Sequence, residues 1–235
     1  MFPIISGQGF IYAEPKEDKI VNLEDNLKNY QKNELEQIKK DLNNKDLHIR
    51  GKAYIRLKLL AKKYEDARRV MITKAKEKIA YYSKHNFKSD GEGESLSELI
   101  EDIADFNDSS LVPLFIDSLN TPTSMGLKFL KNYPNESIPL ILEKFNDHSD
   151  KATLSSALVV ISKSTETNSN NLSVTRKKFI ELTKDKYLIV RELAIEGLGN
   201  IGTSEDIHIL MNIANNDPSK YDRELAKKAI DNIKK

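Results

Sequence analysis

The chain contains no cysteine. Disulfides, a thiol nucleophile and thiolate zinc sites are therefore excluded. That absence leaves the compartment open, because cytosolic and secreted chains can both lack Cys. Tryptophan is absent as well, and 9 Gly and 7 Pro in 235 residues supply too little turn chemistry for a many-stranded β fold. No apolar run approaches the roughly 20 residues a membrane-spanning helix needs. The opening, Met1-Phe2-Pro3-Ile4-Ile5-Ser6-Gly7-Gln8-Gly9-Phe10, has neither the basic nor the apolar region of an intact signal peptide, which predicts a cytoplasmic chain. A secreted or periplasmic chain in which Met1 replaces a removed leader is the alternative.

Catalytic inventory is equally thin. The four histidines, His48, His85, His148 and His208, lie in four different segments and form no His-x-x-x-His or His-Glu-x-x-His pattern. Ser6-Gly7-Gln8-Gly9 precedes no strand-to-helix switch, so it is no phosphate loop. Asp147-His148-Ser149-Asp150 reads as a helix-to-helix turn built from capping residues. The expectation is no catalytic residue, no cofactor, no metal and no enzyme.

What is present is helical periodicity. Hydrophobic residues make up 39% of the chain and charged residues 31%, a balance that suits thin two-layer folds in which every helix keeps a wet face. Residues 1–22 lack a helical period and carry Pro3, Gly7, Gly9 and Pro15, which predicts an extended arm. From Leu23 onward one domain over 23–235 is expected. Leu27, Leu35, Ile38 and Leu42 share a side of the first helix. Asp46 caps a second helix with an apolar face of Ile49, Ala53, Leu57, Leu60 and Tyr64. Ala67, Met71, Ala75, Ile79 and Tyr82 define a third. Short helices follow near 95–106, 110–119, 122–132, 136–146, 150–163, 172–184, 187–200, 204–215 and 219–234. The polar stretch 164–171 is expected to be the mobile loop.

The sequence also repeats itself. Asp185-Lys-Tyr-Leu-Ile-Val-Arg191-Glu-Leu-Ala194 returns as Asp217-Pro-Ser-Lys-Tyr-Asp-Arg223-Glu-Leu-Ala226, 32 residues later. Its apolar continuation returns too: Ala194, Gly197, Leu198 and Ile201 against Ala226, Ala229, Ile230 and Ile233. Ser110-Leu-Val-Pro113-Leu and Ser137-Ile-Pro139-Leu each place a proline in the first turn of a predicted helix. Asp46-Leu-His-Ile49-Arg50-x-x-Ala53 echoes the same design.

The stretch Asp185 to Gly202 resembles the second helix of a HEAT repeat of the kind seen in phycobilin-lyase-type proteins. The likeness is good over roughly 172–234, looser over 24–64 and 108–163, and absent at the front. It implies an all-α fold, a right-handed α-solenoid of about five to six antiparallel helical hairpins forming a HEAT/armadillo-like superhelix. It also implies that Asp185, Arg191, Asp217 and Arg223 form a ladder between repeats. Gly197 and Ala194 are expected in the seam between helices. Proteins of this class mostly bind other proteins and sometimes nucleic acids.

Charge is uneven. Residues 45–88 hold 14 Lys/Arg against 4 Asp/Glu, a net of +10, and residues 91–150 hold 3 against 12, a net of −9. At about 100° per residue, Lys45, Lys52, Arg56 and Lys63 fall within about 20° of one line, and Arg69 continues the charge on the next helix. These five are the expected partner-binding residues of a protein-binding scaffold. The expected partner is another protein with an acidic surface, ahead of nucleic acid, and no membrane. The runner-up is a nucleic-acid-binding HEAT-like protein, remotely an alkylpurine DNA glycosylase-like enzyme. That class depends on aromatic residues, notably Trp, and on an acidic residue facing DNA, and this chain has no Trp. A chromophore lyase or lyase-like chaperone is a further analogy.

Overall fold

The computed structural model describes residues 17–84, 96–121, 125–145 and 150–235, and among them all regular structure is helical, with no strand. The α-helices are α1 (Glu17–Leu42), α2 (Leu47–Ala61), α3 (Glu65–Lys84), α4 (Leu96–Ala104), α5 (Val112–Asp117), α6 (Met125–Lys131), α7 (Pro134–Lys144), α8 (Lys151–Ile161), α9 (Ser169–Leu182), α10 (Leu188–Ile201), α11 (Ile207–Asn216) and α12 (Lys220–Ile233). Short 3-10 turns flank α5 and precede α11. The helix expected from Leu23 begins six residues earlier, at Glu17. Neither proline nor glycine lies between Pro15 and Asn43, so nothing in that stretch breaks a helix. The rest of the expected arm, residues 1–16, lies outside the described residues, as do His85 and Asp147-His148-Ser149.

The chain divides into two compact units, Met1–Ala67 and Arg68–Lys235. The division falls inside α3, where Ala67 and Met71 continue one buried stripe and the hydrophobic period marks no break.

In the first unit α1 packs on α2. Leu35, Ile38 and Leu42 meet Ala53, Tyr54, Leu57 and Ala61 as the buried set, at the 3–4 spacing that a helix face requires. Asp46 caps α2 as expected, accepting from the His48 amide at 2.8 Å. Leu27, expected inward, is 56% exposed, and Ile49 and Leu60 are only half-buried.

In the second unit α8, α10 and α12 lie side by side, continued by α6 and α4, while α5, α7 and α9 form successive neighbours of their own. Each of α5, α7, α9 and α11 also packs on the helix that follows it. Close approach is built from small residues. A Cβ at Gly197 would fall 2.4 Å from the Phe179 ring, and one at Gly199 would fall 2.9 Å from the Ala229 Cα. Phe179, Ala194 and Gly197 are buried, which places Ala194 and Gly197 in the seam where the period put them. Phe115 stacks on Phe129 with ring centroids 3.7 Å apart, and Phe129 meets Tyr133 at 4.9 Å.

One arginine device recurs. Arg191 donates from Nη1 to the carbonyls of Asp185 and Lys186, Arg223 to those of Asp217 and Pro218, and Arg50 to those of Asn44 and Lys45. Each guanidinium closes the turn that leads into its own helix, satisfying carbonyls that would otherwise lack partners. Arg191 then reaches the next helix of its row, with Nε 3.4 Å from the Asp222 carboxylate. Asp222 is fully buried and neither oxygen accepts a hydrogen bond, so this ion pair is its only compensation among the described residues. Asp185 pairs not with Arg191 but with Lys151, at 2.8 Å. The cross-helix rungs therefore run Lys151 to Asp185 and Arg191 to Asp222, with Lys163 to Glu196 at 3.4 Å and Arg176 to Glu205 and Asp206 at 2.7 and 2.8 Å.

Candidate functional site

A shallow groove of about 410 Å³ opens on the second unit, lined by Leu119, Leu127, Ala152, Thr153, Ser156, Ala157, Ile189 and Leu193. Its floor is the first half of α8. Positions 152, 153, 156 and 157 recur with the i, i+4 spacing that keeps side chains on one face, and all four are small. Leu119 and Leu127 supply one wall. Ile189 and Leu193, one turn apart on α10, supply the other. From Ala152 to Ala157 the floor runs about 7.5 Å at 1.5 Å per residue.

Local sequence explains the geometry. Asp150 caps α8, accepting from the Ala152 amide at 2.9 Å and from the Thr153 hydroxyl at 2.8 Å, which fixes where the floor begins. On α10 the Arg191 clamp sets the entry turn, so that Tyr187, Leu188 and Ile189 are thrown outward, 55%, 46% and 51% exposed. Three consecutive large apolar side chains on a surface are costly unless something covers them.

Charge at the groove is local and mostly committed. Lys151 donates to Asp185, and the contact raises the Lys151 pKa. Burial pushes the Asp185 carboxyl up, but the Lys151 ammonium and the Tyr187 amide outweigh it and hold the group below its ordinary value. Lys186 lies over the Tyr187 ring, 4.8 Å from its centroid. The lining itself holds two hydroxyls and no titratable group. Among the described residues no group of three or more His, Asp or Glu side chains could hold a metal ion.

A second hollow of about 370 Å³ is polar, lined by Asn107, Lys131, Asn132, Tyr133, Ser164, Thr165 and Glu166. Tyr133 there donates its hydroxyl to Asn107 Oδ1 at 2.8 Å, and Asn107 holds a left-handed backbone with φ 49°.

Of the four residues expected on one line, Lys45, Lys52, Arg56 and Lys63, the structure sets two inside α2 and two beyond its ends. Lys45 precedes α2 and Lys63 follows it, so only Lys52 and Arg56 stand on the helix itself. Arg56 turns back across the first unit, pairing with Glu34 at 2.8 Å and Asp41 at 3.1 Å on α1. Those carboxylates, Glu34 first, hold its pKa above the ordinary guanidinium value despite partial burial. Lys45, Lys52 and Lys63 are exposed. Arg69 is exposed and belongs to the second unit.

The groove was not legible in advance. Its walls come from segments up to 74 positions apart, Leu119 and Leu193. The one available signal was Tyr187-Leu188-Ile189, an apolar run where a helix entry is usually polar.

These features define, over the described residues, an all-helical chain with a shallow apolar groove. The sequence matches no protein-family model and none of the curated proteins.

Proposed function

We propose that this chain is a non-catalytic protein-binding scaffold, a right-handed HEAT-like α-solenoid that holds a segment of another protein in the groove of α6, α8 and α10. The 32-residue return of Arg-Glu-Leu-Ala, the rows of neighbouring helices and the arginine clamp at Arg50, Arg191 and Arg223 support the repeat reading. The groove carries the functional one. Small-molecule sites orient their ligands with a few placed polar groups, whereas this floor offers small side chains between leucine and isoleucine walls. That shape suits a chain segment that buries two or three apolar side chains. A cytoplasmic location is part of the same proposal.

Capture from cells of the source organism, followed by mass spectrometry, tests it when run alongside Ile189→Glu and Ser156→Arg. Both positions are at least partly exposed, so each variant is expected to melt close to the parent, within about 0.5 kcal/mol. Both are expected to lose the proteins that the parent retains. Identical captured sets for parent and variants would sink the groove as the binding site.

A further inference from the structure

We infer that the outward face of α2 docks on an anionic lipid bilayer, a second binding function distinct from the groove. Projected at about 100° per residue, the buried residues Ala53, Tyr54, Leu57 and Ala61 fill one arc of α2. Directly opposite, within about 100° of arc, lie Lys52, Ile55, Leu59, Lys62 and Lys63. Lys62 keeps helical backbone angles, φ −62° and ψ −25°, so the arc continues past the helix end. Ile55 and Leu59 are 60% and 61% exposed, one turn apart, and form a ridge. His48, exposed in the first turn of α2, extends the face toward the N-terminal side. From Lys52 to Lys63 it spans about 16 Å at 1.5 Å per residue.

Charge complementarity names the occupant as an anion. Leu47–Ala61 contains no Asp or Glu, and Lys45, Lys52 and Lys63 make no ion pair among the described residues. The kind of cation then separates a bilayer from a protein. Protein interfaces are enriched in arginine and aromatics and depleted in lysine. Here both arginines of the helix are committed inward, Arg50 to backbone carbonyls and Arg56 to Glu34 and Asp41, and its one tyrosine, Tyr54, is buried. What faces out is lysine and aliphatic carbon. Lysine stems lie along an apolar surface while their ammonium groups reach the phosphate level, and an aliphatic ridge between them enters the acyl boundary. No described helix is long and apolar enough to cross a membrane, so α2 would lie on the bilayer rather than in it. This departs from the expectation of no membrane partner, which rested on the lack of a spanning segment.

The test is co-sedimentation of the full chain with vesicles of phosphatidylcholine alone and of phosphatidylcholine with one third phosphatidylserine. Binding is expected only with phosphatidylserine, and should weaken as salt is added. Lys52→Glu with Lys63→Glu should weaken it about 25-fold or more, from about fivefold per lysine. Ile55→Ser with Leu59→Ser should weaken it at unchanged charge. All variants should melt with the parent, since the altered side chains are exposed. Equal binding to both vesicles, or none, would overturn the inference. So would loss of a groove-captured protein in the Ile55/Leu59 variant without loss of vesicle binding, or binding to duplex DNA that ignores Ile55 and Leu59 while vesicles go unbound. Groove variants leave α2 intact, so failure here and failure of the scaffold proposal are read separately.

Discussion

Phe179 has no exposed surface, and its ring occupies the space that a side chain at Gly197 would need. A Cβ at 2.4 Å from the ring demands that Phe179 move, and a fully buried ring has nowhere to go. Gly197→Ala is therefore expected to destabilise the protein by about 2 kcal/mol through overpacking, although Ala is ordinarily the better helix former by ~1 kcal/mol. Urea denaturation measures this, and Phe179→Leu should recover part of the loss in the double variant. A Gly197→Ala protein as stable as the parent would mean that the two helices do not touch there. Position 197 was legible because it recurs as Ala229, 32 residues on, in the apolar register of its helix. Other residues were legible in kind but not in partner. Arg191 and Asp185 stood out as a pair, yet the guanidinium goes to the Asp185 carbonyl and the Asp222 carboxylate, while the Asp185 carboxylate goes to Lys151. Spacing tells which residue types a turn needs. It does not tell which of several acids a long side chain will reach.

Elements fared better than their connections. Ala67, Met71, Ala75, Ile79 and Tyr82 are all buried on α3, since a 3–4 period over twenty residues admits one reading. The α2 stripe differs at its front: its angular agreement assumed one helix from Lys45 to Lys63, whereas the extended backbone of the Asp46 cap sets Lys45 apart and only the far end keeps helical angles, at Lys62. The polar stretch 164–171 differs too. Ser169 already begins α9, capped by the Asn168 side chain on the Asn171 amide at 2.8 Å. Asn135, at the start of α7, holds the remaining turn. It donates to the Glu166 carbonyl at 2.9 Å and accepts from the Asn168 amide at 2.9 Å, while buried Asn171 donates back to its carbonyl at 3.2 Å. Partners 31 to 36 positions away leave no local trace in a sequence. Removing the bridging amide in Asn135→Ala strands two backbone groups and should cost about 1–2 kcal/mol. Hydrogen exchange resolves this site: amides at 166–171 are expected to exchange faster in the variant, with α12 unchanged. Equal rates would show that the turn holds itself.

How the row of helices is faced at α12 follows from the same 32-residue register. On α10, the side toward α12 is Arg191, Ile195, Gly199 and Gly202. Gly199 lies against Ala229, Gly202 near Ile233, and Arg191 on Asp222, and the small residues allow the two helices to approach closely. The corresponding positions on α12 are Arg223, Lys227, Asp231 and Lys234, the last three exposed, with Lys227 paired to Glu224 at 2.8 Å. Two glycines and an isoleucine have been exchanged for three charges. A helix approaching this face in the manner of α12 on α10 would have to desolvate those charges, which costs several kcal/mol. The face therefore resists the packing its own register would otherwise invite. The corollary can be measured. Lys227→Ile with Asp231→Ala and Lys234→Ala removes the charges and leaves a small-residue apolar seam resembling that of α10. The triple variant is expected to fold, since all three positions are exposed, and to self-associate through the new patch. Light scattering after size exclusion should then show a concentration-dependent rise in mass that restoring Asp231 alone abolishes. A variant that behaves as the parent at every concentration would mean that charge on this face is incidental, and that the fit between α10 and α12 depends on backbone shape more than on the residues that line it.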